Sequence, residues 1–433
     1  MRYFSLAHAS QDVDFRTATL LGQAPDKGLY FPENIPVWEP SFISSIRDIG
    51  NEEMAFRVMT PYVGDCIPED TLRRIVGETL SFSIPLVRIT ENISALELFH
   101  GPTLAFKDVG ARFMSRCLGH FAQDRDRRAV VLVATSGDTG GAVANGFFDV
   151  PGVDVVILYP SGRVSPVQEK QLTTLGRNIH ALEIEGNFDD CQRMVKTAFA
   201  DVPLTKRIFL TSANSINVAR WLPQQLYYII AHSQWQDDAH PPVISVPSGN
   251  FGNICAGLLA RRSGLPVKHF IAACNANDTI PRFMRDGEYL PEKAKATISN
   301  AMDVADPSNF IRILQLFGHS REDLSAILSS VSITDEETKE TIGRIHRDTN
   351  YLTDPHGAVA CLALERWIGK HPGSKGYFLG TAHPVKFPES VEDATGIRIP
   401  VPAHVIPVMQ GVKSSTLMPA DPGALVAFLS SFA

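Results

Sequence analysis

The sequence lacks an excess of positive charge. Its 433 residues carry 40 Lys plus Arg against 47 Asp plus Glu, a formal net charge of −7. A general nucleic-acid binder needs a basic face, so nucleic acid is excluded as a partner, whereas a local cationic pocket for a small anion is not. No apolar run reaches the roughly 18 residues that a membrane span requires. Cysteine is scarce: Cys66, Cys117, Cys191, Cys255, Cys274 and Cys361 form no CxxC pair. No Cys/His spacing fits a zinc site, so no metal is expected. Most of these cysteines lie in apolar periodic segments, which reads as buried thiols in a reducing compartment. The opening stretch MRYFSLAHASQDVDFR reaches Asp12, Asp14 and Arg16 too early for a secretion signal. These absences together describe a soluble, cytoplasmic protein without repeats or low-complexity segments.

What is present is ordinary globular composition, 44% apolar and 20% charged. The length is too great for one core, so two or three domains are expected. Residues 1–98 read as a mixed, proline-punctuated region. APDKGLYFPENIP is turn-rich and reads as loop, while FISSIRDIGNEEMAFRVMTPYV and EDTLRRIVGETLSF read as helices. From residue 100 a strand–helix rhythm sets in: RAVVLVA, VDVVILYPS, IHALEIEG, RIFLTS, PPVISVP and VKHFIAACN are strands, with helical patterns between them. Near-continuous Val/Ile runs alternating with helices predict buried parallel sheets. A helical stretch runs from about 278 to 370, short strands return at GYFLGTAHP, and a proline-rich tail precedes a terminal helix. This rhythm divides the chain into segments 1–98, 99–205 and 206–433.

Two strand–loop–helix junctions stand out, ATSGDTGGA at 134–142 and PSGNFGNICAG at 247–257. A glycine-rich turn entering a helix presents free N–H groups and a favourable dipole to an anion. Short glycine turns also serve purely geometric ends, so each loop taken alone leaves both readings open. Neither is a Walker loop and neither matches GxGxxG, which disfavours nicotinamide dinucleotides. A third feature is Lys107 in GPTLAFKD, placed where a helical pattern starts. The helix dipole and any burial disfavour its ammonium form, and a lysine that loses its proton near neutral pH serves as a Schiff-base former or general base. Alone, it reads more readily as a lysine snorkelling to solvent from a helix start. Together, one amine nucleophile and two anion cradles are the parts that pyridoxal phosphate needs.

The stretches APDKGLYFP, FHGPTLAFKD, ATSGDTGGA, TSANSINVAR, PSGNFGN and GTAHPVKF, spread over the whole chain, resemble the threonine synthase family. The resemblance is to its bacterial and fungal branch, within the tryptophan synthase β-like (fold type II) group. It implies an α/β fold of two doubly wound domains with mostly parallel sheets, plus a mixed N-terminal region. Pyridoxal phosphate is then expected in the cleft between the domains, with Lys107 as its Schiff-base lysine. Gly249, Asn250, Phe251, Gly252 and Asn253 match the loop that holds the cofactor phosphate, and Thr381 matches the hydroxyl at the pyridine nitrogen.

By the same resemblance, Thr135, Ser136 and Thr139 meet the substrate α-carboxylate. Asn214, Ser215, Asn217 and Arg220 anchor a substrate phosphate, for which a guanidinium fork is well suited. Asp138 falls beside the cofactor 3′ oxygen, where many relatives place Asn. A carboxylate there repels a phenolate unless one is protonated, and a helix N-cap is its other reading. His100, His356 and His383 receive no catalytic role. The implied reaction converts O-phospho-L-homoserine and water to L-threonine and phosphate, in a monomer or homodimer. The alternative is a β-eliminating serine/threonine dehydratase-like enzyme of the same fold.

Overall fold

The Val/Ile runs become strands buried on both faces. In the computed structural model, which describes residues 1–122 and 128–432, all eight residues of Val153–Pro160 are buried. Five strands form one sheet in the order Thr416–Pro419, Ile179–Glu185, Val153–Pro160, Ala129–Ala134, Phe209–Thr211, every pair parallel. Six form a second, in the order Leu328–Ser332, His269–Cys274, Val243–Pro247, Gly376–Gly380, Ile93–Glu97, Leu86–Arg88. Only its last pair is antiparallel. A small antiparallel sheet of Arg2–Ser5, Val13–Asp14 and Tyr30–Pro32 caps the N-terminal region. The fold is thus α/β with two mostly parallel sheets, as expected.

The contiguous segmentation does not coincide with sheet membership. Leu86–Arg88 and Ile93–Glu97, placed with the N-terminal segment, pair in the six-stranded sheet. Phe209–Thr211 and Thr416–Pro419, placed with the last segment, pair in the five-stranded sheet. Three strands fall in stretches read as loop, helix or tail, and four more, Arg2–Ser5, Val13–Asp14, Leu86–Arg88 and Ile93–Glu97, in the region read only as mixed. Tyr30–Pro32 lies in the turn-rich stretch, Leu328–Ser332 in the helical stretch, and Thr416–Pro419 follows the proline-rich tail. All three sit at sheet edges and are short, serine-rich or proline-ended, so tertiary pairing rather than local preference makes them strands.

One hydrophobic core runs from the N-terminal region, through Tyr3, Phe15 and Met59, to Phe113, Trp221 and Val246 between the two sheets. A buried cation crosses it. The Arg312 guanidinium lies 4.3 Å from the Trp221 ring centroid and donates to the carbonyls of Tyr30 and Ile216 at 2.8 and 2.6 Å and to Asn309 Oδ1 at 2.7 Å. The N-terminal sheet is thereby tied to the loop that carries Asn214 and Ser215. Among the described residues no helix is long and apolar enough to cross a membrane, and no group of three His, Cys, Asp or Glu could hold a metal.

The helix Lys107–Ala122 is set tightly against the helix Val218–Trp221 because Gly110 has no side chain. A Cβ there would lie 2.6 Å from the Arg220 carbonyl oxygen and 3.2 Å from its Nε. Gly110→Ala is therefore expected to cost about 2 kcal/mol by overpacking, read as a lowered urea midpoint at unchanged slope.

Candidate active site

The loops at the carboxyl ends of the parallel strands converge on a cavity of about 630 Å³, a size suited to a small cofactor and substrate. Lys107 enters it as the first residue of its helix, held from both sides. The Phe106 N–H donates to the Thr381 carbonyl at 2.9 Å, and the buried Asp108 carboxylate accepts from the N–H of Thr103 at 2.9 Å and from its hydroxyl. Only 16% of the Lys107 side chain is exposed. Burial pushes its pKa down, Asp138 pulls it back up, and Lys386 and Arg220 add to the depression. The result is an amine that gives up its proton more readily than an ordinary lysine.

Asp138 opens the helix Asp138–Phe147 but does not cap it; Gly137 holds the N-cap position. Its carboxylate instead faces the cavity, with Oδ2 3.7 Å from Lys107 Nζ. Oδ1 accepts from Lys386 Nζ at 2.7 Å and Gln168 Nε2 at 2.9 Å. Burial opposes its charge, yet the two lysines and these hydrogen bonds hold it well below the usual carboxylate range. The N-cap reading is thus set aside, and the carboxylate is ionised against a buried cation.

The PSGNFGNICAG loop turns from the strand Val243–Pro247 into the helix Gly252–Arg262, with Phe251 in a left-handed conformation, φ 61°. Asn250 braces it: its Oδ1 accepts from Ser308 N at 2.7 Å and its Nδ2 donates to Ser215 Oγ at 2.5 Å. The last contact joins this loop directly to the NSINVAR loop. Asn253 Nδ2 donates back to the Pro247 carbonyl at 2.9 Å, so its side chain closes the loop. Gly249 fits against a neighbouring turn: a Cβ there would lie 2.8 Å from Met302 Cα and 3.0 Å from the Ala301 carbonyl oxygen. That turn is pinned by His356, whose Nε2 accepts from Ala301 N at 3.2 Å while Nδ1 meets Asp354 Oδ2 at 2.5 Å. Gly249→Ala displaces backbone on both sides, and the affinity of the apoprotein for pyridoxal phosphate is expected to fall about tenfold by absorbance titration.

Lys107, Ser136, Asp138, Thr139, Asn214, Ser215, Arg220, Thr381 and the five residues 249–253 all line the one cavity. Thr135 and Asn217 do not. The Thr135 hydroxyl accepts from Gly137 N at 3.0 Å and Gly140 N at 2.9 Å, shaping the loop beneath Ser136. Asn217 caps the helix Val218–Trp221 through Ala219 N at 2.9 Å and donates to the Thr19 carbonyl at 2.8 Å. Both side chains bond to backbone groups and lie outside the cavity lining, so the structure gives them structural roles in place of a direct place in the cavity. Arg220, in contrast to an exposed helix arginine, is 3% exposed; its Nη1 donates to the Ala213 carbonyl at 2.5 Å. Its Nε is buried and has no partner among the described residues.

Sequence reasoning missed Lys386, Gln168 and His356 as parts of this arrangement. Lys386 lies within GTAHPVKF, but no spacing or composition marks it out. Its role depends on the fold bringing it to Asp138.

The donor set fits pyridoxal phosphate. A buried amine with a depressed pKa suits its aldehyde, and the N–H groups at the start of the helix Gly252–Arg262 suit its phosphate. Arg220, a buried cation that lines the same cavity, suits a second anion beside it.

Comparison with known proteins agrees. The family model described as pyridoxal-phosphate dependent enzyme matches residues 85–376. Those for the threonine synthase N terminus and C-terminal part match 2–80 and 357–429. Threonine synthase from Serratia marcescens is 43% identical, with 99% of each chain covered. The crystal structure of threonine synthase from Escherichia coli superposes with a TM-score of 0.92 at 42% identity, covering 100% of both chains. That of pyridoxal-phosphate-bound threonine synthase from Brucella melitensis gives 0.95 at 36% identity, covering 100% of this chain and 99% of the other.

Proposed function

The chain belongs to the threonine synthase family of pyridoxal-phosphate-dependent carbon–oxygen lyases, and on that premise we propose how its cleft turns O-phospho-L-homoserine and water into L-threonine and phosphate. Bound pyridoxal phosphate supplies an aldehyde for the substrate amine and an electron sink for the carbons beside it. Residues 249–253 would hold its phosphate, Thr381 would offer its ring nitrogen a neutral hydroxyl, and Asp138 would offer its 3′ oxygen a carboxylate. Ser136 and Thr139 orient the substrate α-carboxylate. Asn214, Ser215 and Arg220 receive the substrate phosphate.

Lys107 moves the protons. Its neutral amine takes the proton from Cα, hands it on, and, neutral again, takes one from Cβ. The Cγ–O bond breaks with its electron pair leaving on the phosphate, and a proton is delivered to Cγ. Water then adds at Cβ, its oxygen becoming the threonine hydroxyl and its second hydrogen leaving as a proton, and a proton returned to Cα completes threonine. One amine serving several transfers works best with a pKa near the working pH. Because the neutral Thr381 hydroxyl would not keep a pyridine nitrogen protonated as a carboxylate would, proton control falls chiefly to this lysine.

What carries the reading is the direct contact between two anion cradles, Asn250 Nδ2 to Ser215 Oγ at 2.5 Å, in the cavity that the buried Lys107 also lines. A dehydratase acting on serine needs only one cradle. Six unpaired cysteines support a reducing, cytoplasmic setting. The experiment is a side-by-side assay of the purified holoenzyme. Phosphate and threonine should form in equal amounts from O-phosphohomoserine, with serine dehydrated far more slowly. Faster serine dehydration makes the chain a dehydratase.

A further inference from the structure

We propose that Lys386 is a positioning residue that takes up the charge of Asp138, leaving Lys107 free to shed its proton. The proposal rests on Lys107 being the working amine. Lys386 is buried, with Nζ 2.7 Å from Asp138 Oδ1 and 2.8 Å from the Thr103 carbonyl oxygen. Gln168 Nε2 completes the coordination of Oδ1 at 2.9 Å. Oδ2, left to Lys107, stands 3.7 Å from its Nζ, beyond hydrogen-bond reach. The carboxylate is therefore shared unequally: one oxygen is saturated by Lys386 and Gln168, and the other touches Lys107 only loosely.

The charges around Lys107 explain why this division matters. From the helix Asp138–Phe147 comes Asp138, from the turn Pro384–Lys386 comes Lys386, and from the helix Val218–Trp221 comes Arg220. On its own helix stands Asp108, bonded to Thr103, and Tyr227 donates its hydroxyl to the Phe106 carbonyl at 2.5 Å. Two carboxylates thus face two cations other than Lys107 itself. Without Lys386 the carboxylates are in excess, and the nearest of them becomes a full counter-ion for the Lys107 ammonium. The lysine would then hold its proton when the reaction needs a neutral amine. Lys386 also helps to keep Asp138 ionised in its buried position.

The test uses the full-length apoprotein, without cofactor or substrate. Trace acetic anhydride is applied across a pH series, and acetylation of the Lys107 peptide is quantified by mass spectrometry. The midpoint of that curve reports the proton affinity of Lys107. In Lys386→Met the midpoint should rise by about one unit, a tenfold loss of neutral amine near pH 7. In the double variant Lys386→Met/Asp138→Asn it should return to the wild-type value, and Lys386→Arg should keep that value. A merely structural Lys386, satisfying the Thr103 carbonyl, predicts lowered stability with an unmoved midpoint, and that result overturns the proposal. A rise that persists in the double variant overturns it too. Should Lys386→Met fail to fold, Asp138→Asn alone decides. With Lys386 uncompensated, the midpoint should fall by about one unit, and an unmoved midpoint contradicts the proposal. Because no turnover is measured, failure of the phosphohomoserine reaction leaves this result standing, and the converse holds.

Discussion

Replacing Lys107 with alanine lowers kcat for threonine formation by about 10⁴-fold, the upper range for a positioned acid–base group. Borohydride then no longer fixes the cofactor to the chain. Every proton transfer assigned above passes through this amine, and the neighbouring Lys386 is committed to Asp138 and the Thr103 carbonyl. The loss is chemical and not structural. Lys107 makes only a loose 3.7 Å ion pair, and burial lowers its pKa below the ordinary 10.5. A lysine whose pKa falls on folding binds fewer protons in the native state than in the unfolded chain. Wild-type stability therefore rises with pH between the depressed value and 10.5, and the penalty is largest below that interval. Lys107→Ala should accordingly unfold at no lower denaturant concentration than the wild type at pH 7, the difference shrinking as pH approaches 10.5. An inactive variant that is also strongly destabilised would place the effect in the fold.

Arg220→Ala lowers kcat/KM for O-phosphohomoserine by about 100-fold, the loss of charge-assisted hydrogen bonds worth roughly 3 kcal/mol. Burial pushes the guanidinium pKa down to about 10, so it remains a cation at neutral pH. Its Nη1 is tied to the Ala213 carbonyl, which fixes the fork, and its Nε is buried without a partner among the described residues. A preorganised cation of this kind gains most when an anion arrives. Lysine at this position should recover only part of the loss, because an ammonium lacks the planar fork. Any slow dehydration of serine, which brings no second phosphate, should be nearly unchanged. Equal losses on both substrates would mean that the substitution damages the cleft generally, and unchanged kinetics would remove Arg220 from the site.

How much of this was legible beforehand depended on whether a feature is local. Lys107 and the two glycine-rich junctions are read from a few adjacent residues, because a strand, a turn and a helix start follow one another along the chain. Thr135 and Asn217 misled for the same reason. A hydroxyl and an amide beside such loops look like ligand donors, yet in the fold they bond to Gly137, Gly140, Ala219 and Thr19 and lie outside the cavity lining. Asp138 posed a charge problem that no local pattern answers; its partner Lys386 arrives from a distant turn. The edge strands Leu328–Ser332 and Thr416–Pro419 and the exchange of strands between sheets likewise depend on long-range pairing.

The central claim is that this cleft breaks the Cγ–O bond of O-phosphohomoserine and places water at Cβ. Turnover in oxygen-18 water tests it most directly. Mass spectrometry should find the label in the threonine hydroxyl and none in the released phosphate, since the ester oxygen departs with phosphorus. Label in the phosphate together with homoserine as the product would mean simple ester hydrolysis at phosphorus, and would contradict the account.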